Sequence, residues 1–117
     1  MVKLDNALGS ICISSEVFTW LAGDAATRCF GVKGMAGRAK ENGLVQLLRR
    51  ESMTKGVFVH PNDDGSISIE LHIVVDSGAN LTAVSRSIQS EVQYHVSRLT
   101  GVQVRNVDVC VDYMVMG

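Results

Sequence analysis

A chain of 117 residues with 46 % apolar and 20 % charged residues is long enough to bury a core of its own and too apolar to be disordered. Its net charge of −1 gives no global attraction to nucleic acid or an anionic membrane, and no apolar run approaches the roughly 20 residues that cross a bilayer. The three cysteines, Cys12, Cys29 and Cys110, are widely spaced and match no metal knuckle or redox motif, so they read as reduced, mostly buried thiols of a cytosolic protein.

Met1 to Gly9 carry one lysine and no apolar stretch of the secretory kind, which predicts that no signal peptide is present. The first predicted element is a short alternating strand, Gly9-Ser10-Ile11-Cys12-Ile13. Ser14 or Ser15 then offers an N-cap, and Glu16 places a negative charge in the first turn. The helix that follows is predicted to run to about Phe30, with Val17, Phe18, Leu21, Ala22, Ala25 and Cys29 on its buried arc and Gly31 as a left-handed cap.

Residues 32–55 are less regular. Gly34 and Gly37 interrupt any period, and Gly43 precedes the run Leu44-Val45-Gln46-Leu47-Leu48, so the prediction is an irregular loop followed by a short helix. Lys33, Arg38, Lys40, Arg49, Arg50 and Lys55 face only Glu41 and Glu51 here, a local charge of +4 that leaves −5 for the rest of the chain.

A hairpin comes next. Val57 to His60 form one strand, Pro61-Asn62-Asp63-Asp64-Gly65 is strong turn chemistry, and Ser66 to Asp76 form the return. In the return Ile67, Ile69, Leu71, Ile73 and Val75 alternate with Ser66, Ser68, Glu70 and His72, which predicts one buried and one largely polar face. After a turn at Ser77-Gly78-Ala79, Asn80 caps a long helix to about Thr100, with Leu81, Val84, Ile88, Val92, Val96 and Leu99 on one stripe and Gly101 ending it. The last strand begins at Val102. Its apolar set moves from even positions (Val102, Val104) to odd ones (Val107, Val109, Val111, Tyr113, Val115), which requires a bulge or bend near Arg105-Asn106.

The predicted order is strand, helix, short helix, strand, strand, helix, strand. That implies an α/β (α+β) two-layer sandwich, a four-strand sheet with helices on one face, in a single domain over 1–117.

Several stretches in this order resemble the alkaline shock protein family, envelope-stress proteins of Gram-positive bacteria (the Asp/Gls-type general stress proteins). They are Gly9-Ser10-Ile11-Cys12-Ile13-Ser14-Ser15-Glu16-Val17, Gly31-Val32-Lys33-Gly34-Met35, Thr54-Lys55-Gly56-Val57, Ile67-Ser68-Ile69-Glu70-Leu71-His72-Ile73-Val74-Val75 and Leu99-Thr100-Gly101-Val102-Gln103-Val104. None is a catalytic motif. The resemblance implies a small cytosolic protein without enzymatic activity, associated with cell-envelope stress and held near the membrane by a separate anchor protein. Some relatives are linked with fatty-acid metabolism. Trp20 and Cys29 depart from the family pattern.

Residues capable of chemistry are few. His60, His72, Cys110, Asp108 and Asp112 could share the polar sheet face, but His60 and His72 are expected roughly 20 Å apart, leaving His72 with Cys110 or an aspartate as the pairing to examine for a metal; the ordinary reading is hydrogen-bonded histidines. His95 falls on the core edge of the last helix, with no nucleophile in view. Gly34-Met35-Ala36-Gly37-Arg38 loosely matches the glycine loop of KH modules, against which stands a plain solvated basic loop.

Trp20 lies nearly opposite the Val17–Leu21–Ala25 stripe, so either it anchors an interface or the loop after Gly31 folds over it. Together with what the family resemblance implies, the expectation is a cofactor-free adaptor acting by protein–protein interaction near the membrane, with a membrane-anchor protein and further copies of itself as partners. Trp20, Lys33, Arg38, Lys40, Arg49, Arg50 and Lys55 are its expected partner-binding residues. The alternative is a nucleic-acid-binding module using the basic 33–55 segment, and behind it a metal or small-ligand binder.

Overall fold

The computed structural model describes residues 1–38, 45–48 and 55–116, with the backbone alone at 38 and 45–48. It opens on a hairpin of β1 (Val2–Asn6) and β2 (Gly9–Ile13) joined by Ala7 and Leu8. Val2 pairs with Ile13 and Leu4 with Ile11, so these four share one face, and Val2, Leu4 and Ile13 rest against the core. The sequence reading began only at Gly9. Two apolar residues in Val2-Lys3-Leu4-Asp5-Asn6 are too few to signal a strand without the partner that completes it. Cys12, opposite Lys3 on the other face, is exposed rather than buried.

Helix α1 (Ser15–Thr27) starts where Ser14 Oγ accepts the Glu16 N–H. It ends short of the predicted Phe30. Thr27 Oγ1 donates back to the Gly23 and Asp24 carbonyls, and Arg28 closes the helix in ordinary right-handed geometry. Gly31, at φ +90°, serves the turn that follows rather than the helix end, and a Cβ there would lie 3.0 Å from Val84 Cγ2.

The largest departure from the sequence reading lies in 32–55. In place of a loop and short helix the chain forms strands β3 (Val32–Arg38) and β4 (Val45–Leu48), paired antiparallel. Local pattern was overridden by pairing. β3 finds β4 on one side and the long strand described next on the other; Gly34 is paired in the ladder with the long strand and Gly37 in the ladder with β4, so each glycine is held in strand geometry by a neighbour. The stretch Gly34 to Arg38 is therefore strand, not a nucleic-acid-binding loop.

β5 (Val57–Pro61) and β6 (Ile67–Asp76) form the expected hairpin. Its turn is fixed by Asp64, whose carboxylate accepts from Ser66 N–H (3.0 Å) and Ser66 Oγ (2.6 Å) and is held below its usual pKa by those bonds. Helix α2 (Leu81–Thr100) is capped by Asn80, which accepts from Ala83 N–H at 3.0 Å, and ends at Gly101 with φ 74°. Both caps are where the sequence put them. β7 (Val104–Val115) closes the chain.

β6 organises the main sheet. β7 runs parallel along one edge of it. The other edge is shared end to end: β5 pairs with Ile67 to Leu71, and β3 with Ile73 to Val75. With β4 outside β3 the sheet has five strands rather than the four predicted: β3 and β4 stand where a loop and short helix were expected, and the predicted 9–13 strand pairs only with β1, in a separate two-stranded sheet. Gly56 sits at the junction, where an added Cβ would meet Ala36 O at 2.8 Å and His72 O at 3.1 Å.

β7 carries two bulges. Ile67 pairs with Val104 but Ser68 with Asn106, so Arg105 is the extra residue, as the switch in apolar parity predicted. Ile73 pairs with Val111 but Val74 with Tyr113, so Asp112 is a second extra residue, which the parity argument missed. The bulge turns Tyr113 out, 57 % exposed, and brings Met114 onto the core side.

Both helices cover one face of this sheet, as expected of the two-layer sandwich. Phe18, Ala22, Ala25 and Ala26 of α1 and Val84, Ile88, Val92 and Val96 of α2 enclose the odd residues of β6 in one cluster. Each fully buried aliphatic chain there contributes about 1.5–3 kcal/mol relative to exposure. Leu81 and Leu99, at the ends of the predicted stripe, are exposed rather than buried.

Candidate functional site

Two surfaces carry the side chains that sequence reasoning singled out. The first is the outer face of α1. Packing Phe18, Ala22 and Ala25 into the core leaves Val17 and Trp20 on the far side, one turn apart. Trp20 is 46 % exposed and Val17 is exposed too, although the sequence placed Val17 on the buried arc. Core closure by small alanines draws α1 in along the 18–22–25–26 line and rolls Val17 out.

The basic residues divide. Lys33 is exposed and pairs with Asp76 at 3.4 Å, bridging β3 to the end of β6. Lys55 is exposed just ahead of β5. Arg38 ends β3 opposite Val45, its side chain outside the described residues, and Lys40, Arg49 and Arg50 lie outside them entirely.

The second surface is the sheet face away from the helices, where β6 presents Ser68, Glu70 and His72, and β7 presents Asn106, Asp108, Cys110 and Asp112. Register sets the pairs: Glu70 opposite Asp108, His72 opposite Cys110. Ser68 Oγ donates to Asn106 Oδ1 at 2.7 Å, and Asn106 Nδ2 to Asp108 Oδ2 at 3.2 Å. His72 lies at the centre, on the β6 residue between the β5 and β3 ladders. Its Nδ1 is 3.0 and 3.2 Å from the two carboxylate oxygens of Asp112, and its Nε2 is 2.9 Å from Glu70 Oε2.

An ionised carboxylate only accepts hydrogen bonds, so both ring nitrogens can donate to Glu70 and Asp112 only when the ring is the imidazolium, and the geometry favours that form. Burial on its own would lower the ring's pKa. The hydrogen bonds the ring donates to Glu70 and Asp112, with the charges of those carboxylates, outweigh it and hold the ring above the ordinary histidine value. Phe58 meets the ring edge-on at 5.6 Å between centroids.

This arrangement suits neither metal binding nor nucleophilic catalysis. The two carboxylates hold opposite nitrogens, so one ion cannot collect them with the ring, and among the described residues no group of three or more His, Cys, Asp or Glu is placed to hold a metal. His60 stands opposite Ser68, four residues from His72, which is about 13 Å of strand rather than the roughly 20 Å expected; the hairpin register brings it two residues into the return. The Cys110 thiol beside His72 is pushed up by burial and then by Glu70, Asp112 and Asp108, so it stays protonated, the opposite of an activated nucleophile. His95 Nε2 is 3.1 Å from Glu91 Oε2 on its own helix.

An open cleft of about 250 Å³ lies where α2 meets β7, lined by Gln89, Gln93, Arg105, Asn106, Val107 and Asp108. It is smaller than sites for drug-sized ligands, typically about 300–1,000 Å³. Gln89 and Gln93 are engaged there, donating to Val107 O (2.9 Å) and Val104 O (3.4 Å). Among the described residues no helix is long and apolar enough to cross a membrane.

Sequence reasoning named every member of the His72 cluster but could not assemble it. Glu70 and His72 are two apart on one strand, which puts them on one face. The Asp112 contact depends on the second bulge, whose only trace is a tyrosine at an apolar-parity position.

Comparison with known proteins bears on all of this. The family model of the alkaline shock proteins, described as having a "cell envelope-related function", matches residues 3–116. The uncharacterized protein YloU of Bacillus subtilis (strain 168) is 34 % identical over 111 residues, covering 94 % of this chain and 92 % of its own length. The uncharacterized protein Spy1614 of Streptococcus pyogenes serotype M6 is 35 % identical over 111 residues, covering 94 % and 91 %. A second protein of that organism, Spy1535, is 26 % identical over 108 residues. No solved structure matches the chain. Matched over nearly its whole length, as the ordered stretches from Gly9 to Val104 implied, the chain belongs to the alkaline shock protein family, whose function is cell envelope-related.

Proposed function

We propose that this chain is a non-enzymatic adaptor of the cell envelope, working through protein–protein contacts made by the outer face of α1 and the basic 33–55 segment. The observation that carries the reading is Trp20. A large ring on a helix whose opposite face already closes the core contributes nothing there that a polar residue would not, whereas its area and amphipathic edge suit an interface anchor. The +4 segment supplies long-range attraction to an acidic partner, including the acidic remainder of another copy. Family membership supports the envelope setting. A partner that is itself anchored would keep the chain beside the membrane without a span of its own.

The test is association measured by analytical ultracentrifugation and pull-down across a salt series. Trp20→Ala should weaken association at every salt concentration. Arg49→Ala with Arg50→Ala should weaken it mainly at low salt, since exposed charges are screened within about 10 Å at 0.1 M. If both variants associate like the parent while Glu70→Gln or Asp112→Asn abolishes association, the partner surface is the polar sheet face instead.

A further inference from the structure

The His72 cluster does more than satisfy polar groups. Asp112 is the extra residue of the second β7 bulge, so the backbone ladder does not fix it; its side chain is only 12 % exposed because it folds back onto His72. The bulge sets which face every later residue of β7 takes: Tyr113 outward, Met114 to the core. We propose that His72 is a protonation-operated latch, in which the imidazolium pins the Asp112 bulge to β6, and loss of its proton releases Tyr113, Met114 and Val115 from that register.

The geometry makes the latch one-sided. A neutral ring has one N–H and one lone pair, so one carboxylate must then face a lone pair. The groups around the ring are Glu70 on β6, Asp108, Cys110 and Asp112 on β7, and the Phe58 ring on β5. All the titratable ones are acidic. Among the described residues no lysine or arginine ion-pairs with Glu70 or Asp112. Deprotonation therefore leaves mutual repulsion with no replacement cation in that set, at a bulge whose extra residue has no ladder partner. The other half of β7 is tied independently, by Gln89 and Gln93 of α2 on the Val107 and Val104 carbonyls. Release should stay at the C-terminal end. Val74, opposite Tyr113, is almost wholly buried, so the shift would change what covers it.

The test is amide hydrogen exchange followed residue by residue across pH, corrected for intrinsic exchange, alongside NMR titration of the His72 ring. Protection at Tyr113 to Val115 should fall at least tenfold as pH passes the His72 midpoint, while Val104 to Val107 keep theirs. Glu70→Gln should move both the ring midpoint and the loss of protection to lower pH together. His72→Gln should give the high-pH exchange pattern throughout. Protection at 113–115 that ignores the ring's titration would overturn the proposal. So would an unchanged pH dependence in His72→Gln. The pH series on the parent chain decides the matter by itself where a variant does not fold.

Discussion

On β6 the odd residues Ile67, Ile69, Leu71, Ile73 and Val75 are wholly buried beneath two helices, while between them Ser68 and His72 reach across to Asn106 and Asp112 of β7, and Glu70 holds His72 from its own strand. The two faces are held by different physics. The helix side is non-directional: any apolar side chain of similar volume fills it, and its strength scales with area removed from water. The far side is directional and partly wet. It adds little net stability per contact, but it fixes register and depends on protonation. One face makes the sheet stable, and the other determines how β7 lies on it.

Breaking the helix side should have the largest effect. Leu71→Asp places an unpaired charge at a wholly buried position and should cost more than about 4 kcal/mol, abolishing the cooperative thermal transition followed by circular dichroism. A folded variant that melts like the parent would contradict the assignment of faces. Next is Gly56→Ala at the junction of the two ladders. The added methyl meets backbone oxygens that cannot step aside, so denaturant titration should show a loss of about 1–3 kcal/mol. Asn80→Ala removes the α2 cap from Ala83 N–H and should cost about 1 kcal/mol by the same measurement.

The far side should yield the smaller, pH-dependent effect. The folded His72 ring binds its proton more tightly than the unfolded one, so its contribution is complete below the ordinary histidine pKa of about 6.5 and is lost as pH rises through the raised value. The melting difference between parent and His72→Gln should therefore shrink with rising pH. A difference that grows with pH would reverse the sign of the argument. Trp20→Ala should change stability least, because the ring lies off the core, while weakening association.

Much of this was legible in the sequence because it is local. The alternation of β6, the Asn80 and Gly101 caps, the Asp64 turn and the Arg105 bulge each follow from a few adjacent residues. What was missed is what distant pairing decides. Val32 to Arg38 has two glycines and no period, and it is a strand only because β4 and β6 flank it. Val2 to Asn6 needs β2 for the same reason. The Asp112 bulge is hidden because Val111 and Val115 keep odd parity on either side of it, so a strand reading passes over it and puts Tyr113 on the wrong face. The partner surface was legible only at Trp20, from its place on the helical wheel; the basic residues reveal charge without arrangement.

The proposed role of Trp20 is to meet a partner. It is the chain's one tryptophan, so its fluorescence reports on that surface without labelling. The direct measurement is iodide quenching of the dilute chain against the same chain associated, whether with itself at high concentration or with a captured envelope partner. Trp20 should be readily quenched in the dilute chain, and should show a blue shift and marked protection on association. A tryptophan quenched equally in both states, in a sample shown by sedimentation to be associated, would contradict it.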